Sequence, residues 1–278
     1  FYPVCGRGVH RIWYREPPYA HLAAYLPEVK SRAYQIVDLS NPQEPKMAGC
    51  WWLPGTREDD PDRWEPLDPA HDHFQVHGAI PYGDRAYVSC TDAGMAILDI
   101  SNVGSPKLIS RINWCPPFGG YSHTSMPLPG RGLLIEVCEY LSGGVKRNGD
   151  KRIWIIDIRD ERQPVMISSL PEPKPPKNSP WKSFHDRPLR FGPHNVHENY
   201  PNSLRSEELI FSTWFNAGMR VTDISDPNRP TEVGCFVPPT PPGEEAPMIN
   251  DLYVDTDNLI YLTDRCSGGL YVVEYTGK

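Results

Sequence analysis

The sequence predicts an all-β fold, a β-propeller of about five blades, and three observations predict it. A phrase centred on an acidic residue recurs: Ile36-Val37-Asp38-Leu39-Ser40-Asn41-Pro42, Ile97-Leu98-Asp99-Ile100-Ser101-Asn102, Ile155-Ile156-Asp157-Ile158-Arg159-Asp160 and Val221-Thr222-Asp223-Ile224-Ser225-Asp226-Pro227, with a degenerate fifth copy around Glu274. The acidic anchors stand 51 to 66 residues apart, which is too long for a solenoid repeat and suits one small antiparallel sheet with its loops. Finally, 32 Pro and 22 Gly in 278 residues leave little room for long helices, while 39% hydrophobic residues support a core.

Each repeat then resolves into strands in order. The innermost strand comes first. The second is Ala86-Tyr87-Val88-Ser89, Leu133-Leu134-Ile135-Glu136, Leu209-Ile210-Phe211-Ser212 or Ile260-Tyr261-Leu262-Thr263, all short and β-branched or aromatic. A turn through Ala93-Gly94, Ala217-Gly218 or Gly268-Gly269 follows, and glycine allows it to be tight. The Asp phrase is the third strand. Its Asx-Pro ending reverses the chain into an outer strand such as Pro45 to Trp51 or Pro230 to Cys235. The whole of residues 1–278 reads as a single propeller domain. In a self-closing ring of five blades, Phe1 to Cys5 would supply the outer strand that the last repeat lacks.

Charge and composition narrow the partners. A net charge of −7 lacks the clustered Lys and Arg that phosphate backbones need, which excludes nucleic acid as the main partner. No run of about 18 apolar residues is present to span a bilayer, and no basic-then-apolar leader opens the chain. Localisation is left open, with the cytoplasm slightly favoured. The seven cysteines form no C-x-x-C pair and are odd in number, which reads as buried free thiols. No G-x-S-x-G, P-loop or G-x-G-x-x-G occurs.

The histidines carry the chemistry. With the repeats aligned on their second strand, the start of the innermost strand is His10, His77, His123 and His194 in four repeats and Asp251 in the fifth. An isolated histidine is usually structural, as expected for His21 and His185. Recurrence at one equivalent position changes the reading, because innermost strands line the axis and bring their starts together. Four neutral imidazoles gathered there suit a divalent transition metal, with iron(II) favoured and copper, manganese or zinc compatible. His197, Glu198 and Asp251 are the candidate catalytic groups: His197 as a proton donor or a support behind the ligands, Glu198 as a general base or a group holding an imidazole, and Asp251 as a direct ligand or a carboxylate orienting a ring. His71 and His73 are intermediate cases. Arg11, Trp13, Trp114, Phe118 and Trp214 either wall a substrate pocket or pack between blades, and the long stretches at 54–73 and 171–190 are expected to cover one face.

The Val-Asp-Leu/Ile-Ser-Asp/Asn-Pro phrase resembles the LVIVD-repeat family of β-propellers. Gly8-Val9-His10-Arg11-Ile12-Trp13-Tyr14, Trp51-Trp52-Leu53-Pro54-Gly55, Asn113 to Gly120 and Phe191-Gly192-Pro193-His194-Asn195-Val196-His197-Glu198-Asn199 resemble a bacterial branch of it. The resemblance implies a propeller and further N-terminal repeats, so that this chain would be the last five blades of a seven-bladed arrangement. It supplies no reaction. In site geometry alone, four axial histidines are similar to those of carotenoid-cleaving oxygenases.

Two function classes follow. In the first, the four histidines hold one ion with an open position, and the protein is an oxygenase-like oxidoreductase acting on an aromatic or unsaturated small molecule. A redox-inert ion would instead make it a hydrolase or lyase. In the second, the propeller is a non-catalytic binding module. Oligomeric state is left open.

Overall fold

The computed structural model describes residues 2–61, 73–141 and 151–277. It is a five-bladed, all-β propeller whose described residues hold eighteen strands and two short 3-10 turns. The first blade is β1 (Cys5–Trp13), β2 (Tyr19–Tyr25), β3 (Arg32–Asp38) and β4 (Lys46–Trp51). The second is β5 (Gly78–Tyr82), β6 (Arg85–Ser89), β7 (Met95–Asp99) and β8 (Lys107–Ile112). The third is β9 (Ser122–Leu128), β10 (Leu133–Cys138), β11 (Ile153–Asp157) and β12 (Val165–Ser169). The fourth and fifth have three regular strands each: β13 (Leu209–Thr213), β14 (Met219–Asp223) and β15 (Thr231–Phe236), then β16 (Ile249–Val254), β17 (Leu259–Asp264) and β18 (Leu270–Glu274).

The repeated phrase proves to be a joint. In each copy the acidic side chain accepts the N–H two residues on: Asp38 from Ser40 at 2.8 Å, Asp99 from Ser101 at 2.9 Å, Asp157 from Arg159 at 3.0 Å and Asp223 from Ser225 at 2.7 Å. A second such turn follows at once, through Asn41, Asn102, Asp160 and Asp226. Two successive Asx turns satisfy main-chain donors where the chain leaves the ladder, so the phrase recurs for backbone reasons. The same bulge precedes it in three blades, at Ile36/Val37, Ile97/Leu98 and Val221/Thr222.

Two compact units emerge, Phe1–Glu136 with Asp157–Val165, and Val137–Ile156 with Met166–Lys278. In the first, the faces of the first two blades meet over Tyr34, Ile36, Trp51, Leu53, Val76, Val88 and Leu98, all buried. Each large apolar side chain removed from water there contributes roughly 1.5–3 kcal/mol. In the second, Phe211, Val221, Ile249, Leu252, Val254 and Leu262 form the equivalent core between the last two blades.

Two expectations are corrected. Of the segment expected as an outer strand for the last repeat, the described residues join the first blade instead: Cys5 opens β1 opposite Tyr25, and Tyr2 and Val4 pack on Ala20, Leu22, Ala24 and Val37, while Phe1 lies outside the described residues. Apolar burial on its own blade outweighs ring closure. His194 does not begin a regular strand either. Its segment stays extended and touches β13 only through the bridge at Val196 and Ser212 and the bonds of His194, Asn195 and His197. His71 lies outside the described residues. Among the described residues no helix is long and apolar enough to cross a membrane.

Candidate metal centre

The first unit brings three of the sequence-predicted imidazoles together. His77 immediately precedes β5, His123 is the second residue of β9, and His10 sits midway along β1. The Nε2 atoms of His10 and His77 are 2.8 Å apart, and the rings of His77 and His123 have centroids 4.1 Å apart. His77 is therefore the middle member.

Its tautomer follows from its neighbours. Nδ1 of His77 lies 2.8 Å from the main-chain oxygen of His123, a pure acceptor, so the ring must donate there. Nε2 is then the atom with the lone pair, and His10 donates its Nε2–H to it. Holding an ion between them requires only that the His10 proton move to Nδ1. Burial is the main cause that lowers the pKa of His77 well below the usual imidazole value, and the charges of His10, Arg11 and Arg32 lower it further. His10 is lowered to about 4, again chiefly by desolvation, then by Arg32 and Arg11. Both rings are neutral at pH 7, the form that ligates.

His123 is oriented from the other side. Its Nδ1 is 2.8 Å from Thr124 Oγ1, and that oxygen accepts from Arg11 Nη1, also at 2.8 Å. Arg11, expected as a pocket wall, thus acts below the rings. Gly78 makes room for it, since a Cβ there would come within 3.0 Å of Arg11 Cδ.

A second blade repeats the device. In the second unit His194 places Nδ1 2.5 Å from the oxygen of Asn250, and Thr213 donates its hydroxyl to the same oxygen at 3.0 Å. In the first unit Ser89 likewise donates to the oxygen of His123 at 2.8 Å. The histidine N–H closes each arrangement on the oxygen of that same residue, Ser89 or Thr213. His194 thus shows the same ring setting as His77, and its Nε2 is 3.7 Å from Glu139, which pairs with Arg190 at 3.3 Å.

The three candidate catalytic residues occupy the second unit. His197 has both ring nitrogens committed: Nε2 donates to the Leu204 oxygen at 2.8 Å and Nδ1 accepts the Val254 N–H at 3.3 Å. Its place is structural. Glu198 is buried and accepts a short hydrogen bond from Tyr200. Asp251 accepts from Asn195 Nδ2 and from the Leu252 N–H, each at 2.8 Å. Trp13, Trp114 and Trp214 are buried packing residues, whereas Phe118 is exposed.

Tyr121, read from the sequence only as part of a stiff loop leading into His123, lies beside the rings. Its ring lies 5.9 Å from that of His77 and 6.0 Å from that of His73, on a backbone at φ +67°. The flanking Gly119-Gly120 was the available signal. Gly120 is pressed so close to Asp92 that a Cβ would come within 2.6 Å of its Oδ1. Asp92 also holds the main-chain N–H of His73 at 3.1 Å.

Comparison with known proteins places this architecture. A sequence model of the LVIVD repeat matches residues 81–113 and 213–237. No curated protein matches the chain. Among solved structures, the β-propeller domain of Myceliophteria thermophila Cps50 (Swd1) superposes with a TM-score of 0.55 at 11% identity, covering 93% of this chain and 67% of that one. The periplasmic gluconolactonase PpgL of Pseudomonas aeruginosa gives 0.54 at 10% identity, covering 92% and 66%. The chain spans about two thirds of the length of either propeller.

Proposed function

We propose that this LVIVD-repeat β-propeller holds a divalent transition metal on imidazole nitrogens of His10, His77 and His123 and uses it to transform a small molecule. The observation that carries the reading is the pair of Nε2 atoms 2.8 Å apart, one of them stripped of its proton by a fixed main-chain acceptor. Two neutral rings in a T-shaped arrangement, His77 buried and His10 exposed, gain one hydrogen bond, whereas the same nitrogens around an ion would each donate a lone pair.

Three nitrogen donors leave coordination positions for water, dioxygen or substrate. With iron(II), the ion we favour, the chemistry is an oxygenase-like oxidation of an aromatic or unsaturated substrate. Zinc on three imidazoles is the donor set that lowers the pKa of bound water, and it would make the protein a hydrolase or lyase. The identity of the ion separates the two readings. Untagged protein, expressed in medium supplemented with iron, copper, manganese and zinc and analysed by inductively coupled plasma mass spectrometry, is expected to carry about one metal per chain. Protein that stays metal-free under that supply overturns the proposal, and a zinc-only protein overturns its oxidative branch.

A further inference from the structure

In the second unit, four arginines converge on one turn, at 214–218. Arg187 Nη1 donates to the Asn216 oxygen at 2.8 Å, and Arg220 Nη2 donates to the Ala217 oxygen at 2.8 Å. The guanidinium carbons of Arg190 and Arg265 lie 4.8 and 5.5 Å from the ring centre of Phe215. Phe215 is wholly buried and sits in the left-handed region at φ +42°. Non-glycine residues are held there only when the surroundings fix them, and such positions gather at functional sites.

The turn does not need these cations in order to close. The second blade builds the same turn around Thr91 and Asp92: Cys90 N–H donates to the Gly94 oxygen at 2.8 Å as Trp214 donates to Gly218 at 2.7 Å. Asp92 N–H reaches His73 at 3.0 Å as Asn216 N–H reaches Arg190 at 3.1 Å. Thr91 is also left-handed, at φ +48°. The arginines are therefore an addition to a shared scaffold, in a chain whose net charge is −7.

Two of the four are neutralised. Arg220 pairs with Glu232 and Arg190 with Glu139, each at 3.3 Å. Among the described residues the Arg187 side chain reaches the Asn216 oxygen and, at 3.4 Å, Thr240 Oγ1, while Arg265 is exposed with its face on Phe215. Burial lowers the Arg187 pKa, as for a half-buried cation. A guanidinium whose face is occupied by an aromatic ring keeps its in-plane N–H donors free, and a planar fork of donors fits a carboxylate or phosphate.

We propose that this turn is the floor of an anion site, in which Arg187 and Arg265, with Arg190 beside them, hold the carboxylate or phosphate group of a small molecule. The ring of His194, 5.0 Å from that of Phe215, borders it. The proposal is testable on metal-free protein.

Oxalate and inorganic phosphate are titrated into the full chain by calorimetry, with the side-chain Nε–H signals of arginine followed by NMR. Either anion is expected to bind and to shift the Arg187 and Arg265 signals, and the tighter of the two identifies the group recognised. Arg265→Gln and Arg187→Gln should each weaken binding at least about tenfold. Arg85→Gln, which removes a cation of the first unit, should leave it unchanged. Arg265 is exposed, so its variant keeps the fold, and the wild-type NMR shifts stand even if Arg187→Gln unfolds. No binding of either anion at about 10 mM, or binding that Arg85→Gln weakens as much as Arg265→Gln does, overturns the site.

Discussion

His77 and His123 are joined through the backbone: the Nδ1–H of the first donates to the carbonyl of the second at 2.8 Å, and Ser89 donates to the same oxygen at 2.8 Å. One carbonyl therefore sets the ring of one candidate ligand and the strand of the next. Removing the imidazole leaves that oxygen still bonded by Ser89, so the fold tolerates the loss.

His77→Ala and His123→Ala, singly and together, test the metal centre on that basis. Metal content by mass spectrometry should fall at least about tenfold in each, while circular dichroism keeps its wild-type shape, with stability lowered by about 1–3 kcal/mol. A protein whose metal content is indifferent to both changes is the binding module of the second function class.

Glu136 on β10 makes stability depend on pH. It is fully buried, receives Ser125 Oγ at 2.6 Å and leaves its Oε1 unbonded. Burial raises its pKa from 4.5 to about 8. The folded state thus binds a proton that the unfolded chain releases above 4.5, so stability is greatest below pH 4.5 and is lost progressively as pH rises to about 8. Across that window the loss is on the order of a few kcal/mol. Urea melts from pH 5 to 8, a span of about three units, should show it, and Glu136→Gln should flatten the slope. A slope unchanged in that variant assigns the effect to another group.

Gly94 and Gly218 occupy the same turn position in two blades, at φ +79° and +80°. A Cβ would come within 2.1 Å of the Ile112 oxygen and 2.2 Å of the Phe236 oxygen. Alanine at either position is expected to cost at least about 3 kcal/mol, because backbone must move as well as adopt a strained angle. Gly83, at φ +53° in open space, is the control and should cost only about 1 kcal/mol on denaturant unfolding.

The Asx turns give an acid limb to the stability curve. Hydrogen bonds from Ser40, Ser101 and Arg159 hold the carboxyls of Asp38, Asp99 and Asp157 below the ordinary aspartate value of 3.8. Their contribution is present above 3.8 and disappears as pH falls through the lower folded values. Replacing all three by Asn should lower the melting temperature at pH 6 and shrink its further drop toward pH 3. Equal drops in wild type and variant would deny the turns that role.

Most of the architecture was legible because it is written in local chemistry. The Asp-x-Ser-Asn-Pro phrase works within a few residues, so its recurrence exposed β3, β7, β11 and β14 and, by alternation, β6, β10, β13 and β17. The same spacing put His77 and His123 at the starts of their inner strands, whereas His10 lies midway along β1 and His194 in no regular strand. What the linear order hid depends on partners distant in sequence. His197 looked like a proton donor until Leu204 and Val254 took both nitrogens. Tyr2 and Val4 looked like a strand for the far end of the chain, yet their apolar faces found Ala20, Leu22 and Val37 nearer to hand. The shared carbonyl acceptors of His77 and His194 carry no side-chain signature, since any residue supplies a main-chain oxygen.

Gly49 of β4 lies so near the Val103 carbonyl that a methyl group there would sit 1.9 Å from the oxygen. At this one point between the first two blades, main chain rests on main chain. Any side chain larger than hydrogen at position 49 would have to push the Val103 turn outward, so this one glycine sets how near the outer strand of the first sheet can come to the second.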